Sequence, residues 1–427
     1  MHREALFGMS VDRHGNVTRR RFLQMAGVSL AASSIVGQVS LNAAQMKKDG
    51  RACILIWLAG GPSQMETWDP KPDSPNGGET KAIRTAVPSI KIAEYFPKIA
   101  KSMKDIAIIR SMSGREAAHA RATYRLRTGR LMGGPEKHPH FGSVVARELG
   151  DESAALPNFV SIGNTLSSGF LGVKVAPFIV PRAGQLPANA KMTIPQARMN
   201  RRLALLGDQE KDFAAAGAKT LVEEHQTLYQ RAAKLMKSPK LKAFQFVGES
   251  QKTQDAYGKT QLGQGCLIAR RLVEQGVPFV EVVKGGWDMH NDTFKRFRNV
   301  GPEVDSAVSQ LILDLKQRGM LEKTLVICMG EFGRTPKINT RPPIPGRDHW
   351  SRNFNLLTAG GGIKGGRAIG KTDKDGQEIT DRKVSVEELF QTWCHALKID
   401  ADNEMTTPIG RPLKIVDGGS VIKELFS

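Results

Sequence analysis

An α/β fold with a mainly parallel sheet is predicted by two observations. Short runs of buried character rich in β-branched residues, at 277–283 and 324–329, bracket a helix-periodic segment, as in a strand–helix–strand crossover. Polar clusters, Trp287-Asp288-Met289-His290 and Glu331-Phe332-Gly333-Arg334, directly follow those two strands. Crossovers within one sheet are parallel and right-handed in nearly all cases. Both clusters are therefore expected on one edge, beyond the carboxyl ends of the strands, where open α/β sheets bind ligands.

The elements follow in chain order. Residues 52–59 read as an opening strand ending in Gly60-Gly61-Pro62-Ser63-Gln64, a tight turn whose glycines permit close backbone approach to a ligand and which makes Ser63 and Gln64 substrate-contact candidates. A Pro- and Gly-rich stretch from Asp69 to about Pro88 precedes a second strand at 106–110, then Ser111-Met112-Ser113-Gly114 and a basic helix expected over 115–127. Residues 159–162 form a further candidate strand. From about 190 to 260 the pattern is helical and charged, read as an insertion. In the crossover, Val304, Ala307, Val308, Leu311, Ile312 and Leu315 recur at helical spacing, with Pro302 expected in the first turn and Gly319 just past the last. Residues 355–358 lead into Gly360-Gly361-Gly362, and the glycine-rich stretch to 370 matches no phosphate- or dinucleotide-binding fingerprint and reads as a hairpin.

At the N-terminus, Thr18-Arg19-Arg20-Arg21-Phe22-Leu23-Gln24 precedes a weakly apolar stretch over 25–39. This fits a twin-arginine export signal, and the stretch falls short of the roughly 20 residues a spanning helix needs. Cleavage is expected near Ala43 or Ala44, giving a signal over 1–44, one α/β domain over 45–427, and a destination in the periplasm or beyond. The chain carries a net charge of +20, and removing the five basic and two acidic residues of the signal leaves +17. Such a field favours polyanions. Without a recognisable nucleic-acid module, sulfated or phosphorylated glycans and small anionic esters are the better partners. The four cysteines, Cys53, Cys266, Cys328 and Cys394, form no C-x-x-C pair. Buried thiols are the default, with a disulfide open in an oxidising compartment.

The third cluster, Arg347-Asp348-His349-Trp350, joins the first two. Together Asp288, His290, Glu331, Asp348 and His349 offer carboxylates and imidazoles suited to zinc, manganese or calcium. Arg334 and Arg347 are candidate bidentate clamps for phosphate or sulfate. His119, with Arg115 and Arg125 at three- and four-residue spacing, marks either an anion pocket with a general acid or nucleophile, or a solvated basic face. His138 and His140 are weaker ligand candidates.

The segments GGPSQMETWDPKP, WDMH, GEFGRTP, GRDHW and LTAGGGIKGG, with the export signal, resemble the domain-of-unknown-function 1501 family. That family is grouped with sulfatases in the alkaline phosphatase superfamily. The resemblance covers nearly all of the chain after the signal and implies a sulfatase-like α/β core with its site at the strand ends. It departs from working sulfatases at three places. Gly60-Gly61 stands where they carry a metal-binding aspartate pair, and Glu331-Phe332-Gly333 replaces Asp-His-Gly. Counting back from Thr128-Gly129 puts His119 at the nucleophile position, without the Cys/Ser-x-Pro-x-Arg motif that formylglycine chemistry requires. The expected activity is thus hydrolysis of sulfate or phosphate esters, of carbohydrates foremost, at a rearranged metal site, using His119, Ser111 or Ser113, or an activated water. The alternative is a non-catalytic exported protein that binds sulfated or other anionic polymers.

Overall fold

Ala52–Leu58 (β1) reads Ala-Cys-Ile-Leu-Ile-Trp-Leu, and every one of its side chains is buried. Such an unbroken apolar run suits a central parallel strand covered on both faces. The computed structural model describes residues 50–427 apart from 187–189 and 191, so the expected export signal over 1–44 lies outside the described residues. The main sheet holds seven further strands: Ile106–Met112 (β2), Phe159–Ile162 (β3), Phe178–Val180 (β4), Phe279–Lys284 (β5), Thr324–Met329 (β6), Phe354–Ala359 (β7) and Arg367–Ile369 (β8). Their spatial order is β8-β2-β7-β6-β1-β5-β3-β4. All run in one direction except β7, which lies antiparallel between β6 and β2.

The two strands of the crossover are separated by the opening strand. β5 and β6 are not neighbours, because β1 lies between them, with Cys53 in register with both Phe279 and Leu325. The loops after β5 and β6 therefore flank the Gly60-Gly61 turn.

Alternate residues of β1 divide the core. Ala52, Ile54, Ile56 and Leu58 belong to a large apolar cluster with helices Gln261–Glu274 and Thr293–Gln317. Each fully buried aliphatic side chain there contributes about 1.5–3 kcal/mol. The crossover helix, Thr293–Gln317, starts about ten residues earlier than expected, so Pro302 lies inside it. The missing N–H is tolerated because Val304, Ala307, Val308, Leu311, Ile312 and Leu315 are all buried beyond it. On the other face, Phe141 of helix Phe141–Leu149 packs edge-on to Phe279, with ring centroids 6.2 Å apart, and lies 5.4 Å from Trp393 of helix Val386–Leu397. The helices that position the site and pack on the sheet are α1 (His119–Thr128), α2 (Phe141–Leu149), α3 (Gln261–Glu274), α4 (Thr293–Gln317) and α5 (Val386–Leu397). Helices Gln196–Phe213, Lys219–Lys237 and Gln251–Tyr257 lie between β4 and α3.

α1 is shorter than the expected 115–127 span. Residues 113–118 are extended or irregular because the Gly114 N–H donates to Ser351 O at 2.8 Å and the Ser113 N–H to Val384 O at 3.0 Å. Arg115 is therefore off the helix, and its expected helical spacing with His119 and Arg125 does not exist. Gly129, at φ 72° in the left-handed region, ends α1 and donates its N–H to Arg125 O. All four cysteines are free and buried. Among the described residues no helix is long and apolar enough to cross a membrane.

Candidate metal-binding and active site

The loop after β5 is extended, and its apolar residues anchor it. Trp287 and Met289 are each 1% exposed. Trp287 packs edge-on to Phe297 at 5.5 Å, and Met289 O accepts from Arg347 N–H and Thr293 Oγ1. With Trp287 and Met289 buried, Asp288 and His290 between and beyond them are directed to one side. After β6, Gly333–Arg334 pairs antiparallel with His349–Trp350, setting His349 opposite Arg334. α1 begins at His119 and supplies the third histidine.

The Gly60-Gly61 turn makes this convergence sterically feasible. A Cβ on Gly60 (φ +118°) would lie 2.4 Å from Asp288 N, and one on Gly61 would lie 2.5 Å from the Phe332 ring. Neither position tolerates a side chain without displacing a flanking loop. In their place the backbone is used: Gly60 N–H donates to Glu331 Oε1 at 2.9 Å, and Gly60 and Gly61 carbonyls accept from Arg334.

Three imidazoles surround one carboxylate. His119 Nε2 lies 3.3 Å from Asp288 Oδ2, while His290 Nε2 and His349 Nε2 lie 3.0 and 3.3 Å from Asp288 Oδ1. The far nitrogen of each ring is held from behind: His119 Nδ1 by Glu331 Oε1 at 2.7 Å, His290 Nδ1 by Asp348 Oδ1 at 2.8 Å, and His349 Nδ1 by Ala117 O at 2.8 Å. An acceptor at Nδ1 fixes the proton there and leaves Nε2 as a lone pair, the arrangement metal-ligating histidines need. Asn339 Nδ2 in turn donates to both Asp348 oxygens. The Phe332 ring lies 4.9 Å from the His119 ring and 4.6 Å from that of His349, and is buried.

The electrostatics follow from these contacts. The hydrogen bond that His119 Nδ1 donates to the Glu331 carboxylate raises the His119 pKa. Burial disfavours the Asp288 carboxylate, but Arg334 Nη2, 2.5 Å away, outweighs it and holds the carboxyl far below the usual range. Burial, with Arg334 and His119 nearby, lowers the His349 pKa. The hydrogen bond to His290 lowers that of Asp348. His119, Asp288 and His349 each offer one ligand atom, and the three atoms lie within 4.8 Å of one another.

Fit to a divalent ion can be judged from the lone pairs. His290 Nε2 and His349 Nε2 approach to 3.0 Å, and all three Nε2 atoms face a carboxylate. With the protons held on Nδ1, this arrangement needs a cation or added protons at its centre. His119 Nε2 and Glu331 Oε2 are also buried without a hydrogen-bond partner. Two imidazoles and a carboxylate, from His119, His349 and Asp288, are a donor set suited to zinc or a related ion, with His290 beside them.

Several residues singled out in the sequence are placed elsewhere. Arg334 is 1% exposed and spends its guanidinium on Gly60, Gly61, Trp287 and Arg347 carbonyls and on Asp288, so it orients a carboxylate and is not free to clamp substrate. Arg347 is fully buried and forms a two-pronged pair with Glu66 at 2.9 and 2.8 Å while donating to Asn76, Thr335 and Pro336 carbonyls. It is a structural cross-link. Ser111 is buried and donates to Arg382 O, and Ser113 borders a separate cavity with Gly114, Arg115 and Glu116; neither hydroxyl joins the histidines. Ser63 accepts from Met65 N–H within its own turn. Gln64, buried, clamps the Arg334 backbone from both sides, at 2.7 and 2.9 Å. Asp348 and Glu331 stand behind histidines. Arg115 is exposed. His140 is buried as the N-cap of α2, accepting from Gly142 N–H. Ala117 O, Asn339 and Glu66 were not anticipated. A backbone carbonyl and buried partners of loop residues carry no signal in spacing or composition.

A family model described as a protein of unknown function matches residues 50–426. The chain belongs to this family, DUF1501. No curated protein sequence matches it. Among solved structures, this DUF1501 member is similar to a sulfatase from Pseudoalteromonas sp. (14% identity, 84% of this chain and 72% of that one, TM-score 0.39). It is also similar to a phosphonate monoester hydrolase of Agrobacterium radiobacter (11%, 88% and 77%, TM-score 0.41) and to an alkaline phosphatase from the Antarctic bacterium TAB5 (12%, 73% and 92%, TM-score 0.31).

Proposed function

We propose that this protein is an exported metal-dependent hydrolase of anionic esters, sulfate or phosphate, on carbohydrates. One observation carries the reading: three histidines direct Nε2 at Asp288 while an acceptor holds each Nδ1. His119, Asp288 and His349 would hold the ion. A divalent ion on these residues supplies Lewis acidity toward an ester oxygen and a water nucleophile at neutral pH.

The remaining roles fall to the chain. Glu331 and Ala117 O hold His119 and His349 in the ligating tautomer, and Arg334 keeps Asp288 ionised. His290 is backed by the Asp348 carboxylate, which Asn339 fixes, so the His290 Nε2 lone pair is the atom that takes a proton from the attacking water. The Asp–His pairing has the geometry of a general base held in one tautomer. Ala118 gives α1 no side-chain cap, so first-turn amides next to His119 remain to favour an anionic group.

Metal analysis of the folded, chelator-free protein tests this. About one ion per chain is expected, lost in His119→Ala and His349→Ala and retained in His290→Asn. Turnover of sulfate or phosphate esters should fall about 10²–10⁴-fold in His290→Asn. A folded protein that stays metal-free and cannot be reloaded would sink the hydrolase and leave an anionic-polymer binder.

A further inference from the structure

Residues 113–118 lead from a cavity to the histidines. At one end of the segment Ala117 O holds His349, and α1 starts at His119. At the other, residues 113–116 border a cavity of about 600 Å³ that also reaches Arg125, the turn after α1 and the start of α5.

The charges in this groove are unevenly committed. Its three carboxylates each have an arginine partner: Glu116 with Arg121 at 2.8 Å, Glu387 with Arg125, and Asp417 with Arg130 at 3.4 Å. Arg125 also donates to Gly129 O at 2.6 Å and Arg130 to Lys414 O, so these two arginines brace the walls. Arg115 and Lys383 are the other cations of the lining. Both are exposed, and among the described residues neither side chain has an ion-pair partner. Two unpaired cations on a groove whose acids are already neutralised leave it selective for negative charge.

We infer that the groove is a subsite for a second anionic group, on the unit next to the ester presented to His119, with Arg115 and Lys383 as its direct contacts. The substrate class is then an oligomeric or polymeric polyanion, in preference to a small monoester. The inference rests on the proposed hydrolase reading for its orientation, but the binding it predicts does not depend on turnover.

The test is equilibrium binding of a sulfated tetrasaccharide, and of its desulfated form, to the full metal-loaded chain and to Arg115→Ala/Lys383→Ala, over a range of salt concentrations. Melting temperature checks that these exposed substitutions leave the fold intact. The sulfated probe should bind the variant at least tenfold more weakly, with the slope of log affinity against log salt reduced by about one for each cation removed, and the desulfated probe should bind neither protein well. If the wild type hydrolyses the oligosaccharide, the loss in kcat/KM should be at least tenfold greater for it than for an aryl monoester. That pattern in binding supports the subsite even where no ester is turned over. Equal binding by the two proteins, or no binding by the wild type, overturns it even where the wild type hydrolyses small esters.

Discussion

Arg127, near the end of α1, makes the contact whose loss should be felt most. Its Nη2 lies 2.8 Å from Glu281 Oε1, its side chain is 5% exposed and that of Glu281 is 0% exposed. The guanidinium carbon also sits 4.5 Å from the Trp57 ring centroid. Glu281 belongs to β5, where Ser161 Oγ donates to its other oxygen at 3.3 Å and His140 Nε2 lies 3.7 Å away. At this separation the gross attraction is about 6 kcal/mol for an effective dielectric of about 20. Most of that offsets desolvation, so the pair's net worth is small, but removing one partner strands a buried charge. Arg127→Met should therefore cost about 3–5 kcal/mol, Glu281→Gln a similar amount, and the Arg127→Met/Glu281→Leu double variant far less than the sum. Urea unfolding followed by tryptophan fluorescence reads this, since Trp57, Trp68 and Trp287 are buried. The exposed pair Lys211–Asp208, at 74% and 66% exposure, is the control, and breaking it should leave stability essentially unchanged.

The sign with pH follows. Burial disfavours the Glu281 carboxylate, but Arg127 and His140 outweigh it and lower its pKa. Its contribution is present above the unfolded-state value of about 4.3 and is lost as pH falls through the lower folded-state value. The stability gap between wild type and Glu281→Gln should thus be flat at neutral pH and close in acid. Single variants costing under about 1 kcal/mol, or additive costs in the double variant, would refute the reasoning. The pair also ties the far end of the helix that starts with His119, so Arg127→Met should weaken metal retention as well as stability.

Three further outcomes are expected. Gly60→Ala places a methyl 2.4 Å from Asp288 N at φ +118°, so it should destabilise by at least about 2 kcal/mol and reduce metal content in the purified protein; a wild-type metal content would contradict the account of the turn. Glu331→Gln keeps the shape but weakens the hold on His119 Nδ1, and metal affinity in a chelator competition should drop about 10–100-fold with little change in secondary structure by circular dichroism. The four cysteines are buried, and burial pushes the Cys328 thiol up to about 12; a thiol reagent should titrate none in the native protein and four after denaturation, and rapid native labelling would show that the strands and helices carrying them open.

The strands were legible because their signal is local. Residues 324–329 are apolar throughout and bounded by turns, and they form β6 over the same residues. The ends of helices were less so. Residues 115–118 are charged and alanine-rich, compatible with α1, but Gly114 and Ala117 are held by hydrogen bonds to Ser351 O and from His349, more than 230 positions away. Pro302 read as a helix start, yet the core packing of the residues after it carries α4 straight through. Arginines were the least legible. Whether Arg334 and Arg347 face a ligand or the interior depends on whether buried acceptors exist for them, and these are carbonyls of residues 60, 61, 76, 287, 335 and 336 together with Glu66 and Asp288. No spacing rule announces such a set.

His119 is placed through a turn that carries no side chain of its own. The end of β1 lies between the loops of β5 and β6, the place from which a side chain would reach the site most directly. Glycine at 60 and 61 offers no side chain there, and the space lets Asp288 and Phe332 press against the turn. The freed backbone then does two jobs, orienting Glu331 through Gly60 N–H and Arg334 through the two carbonyls. Glu331 holds His119, and Arg334 holds Asp288. Glycine at 60 and 61 and the histidine from α1 thus belong to one arrangement, and aspartate at 60 or 61 should not add a working ligand. It should break the histidine cluster, because the new Cβ would occupy the position against which Asp288 or Phe332 is packed.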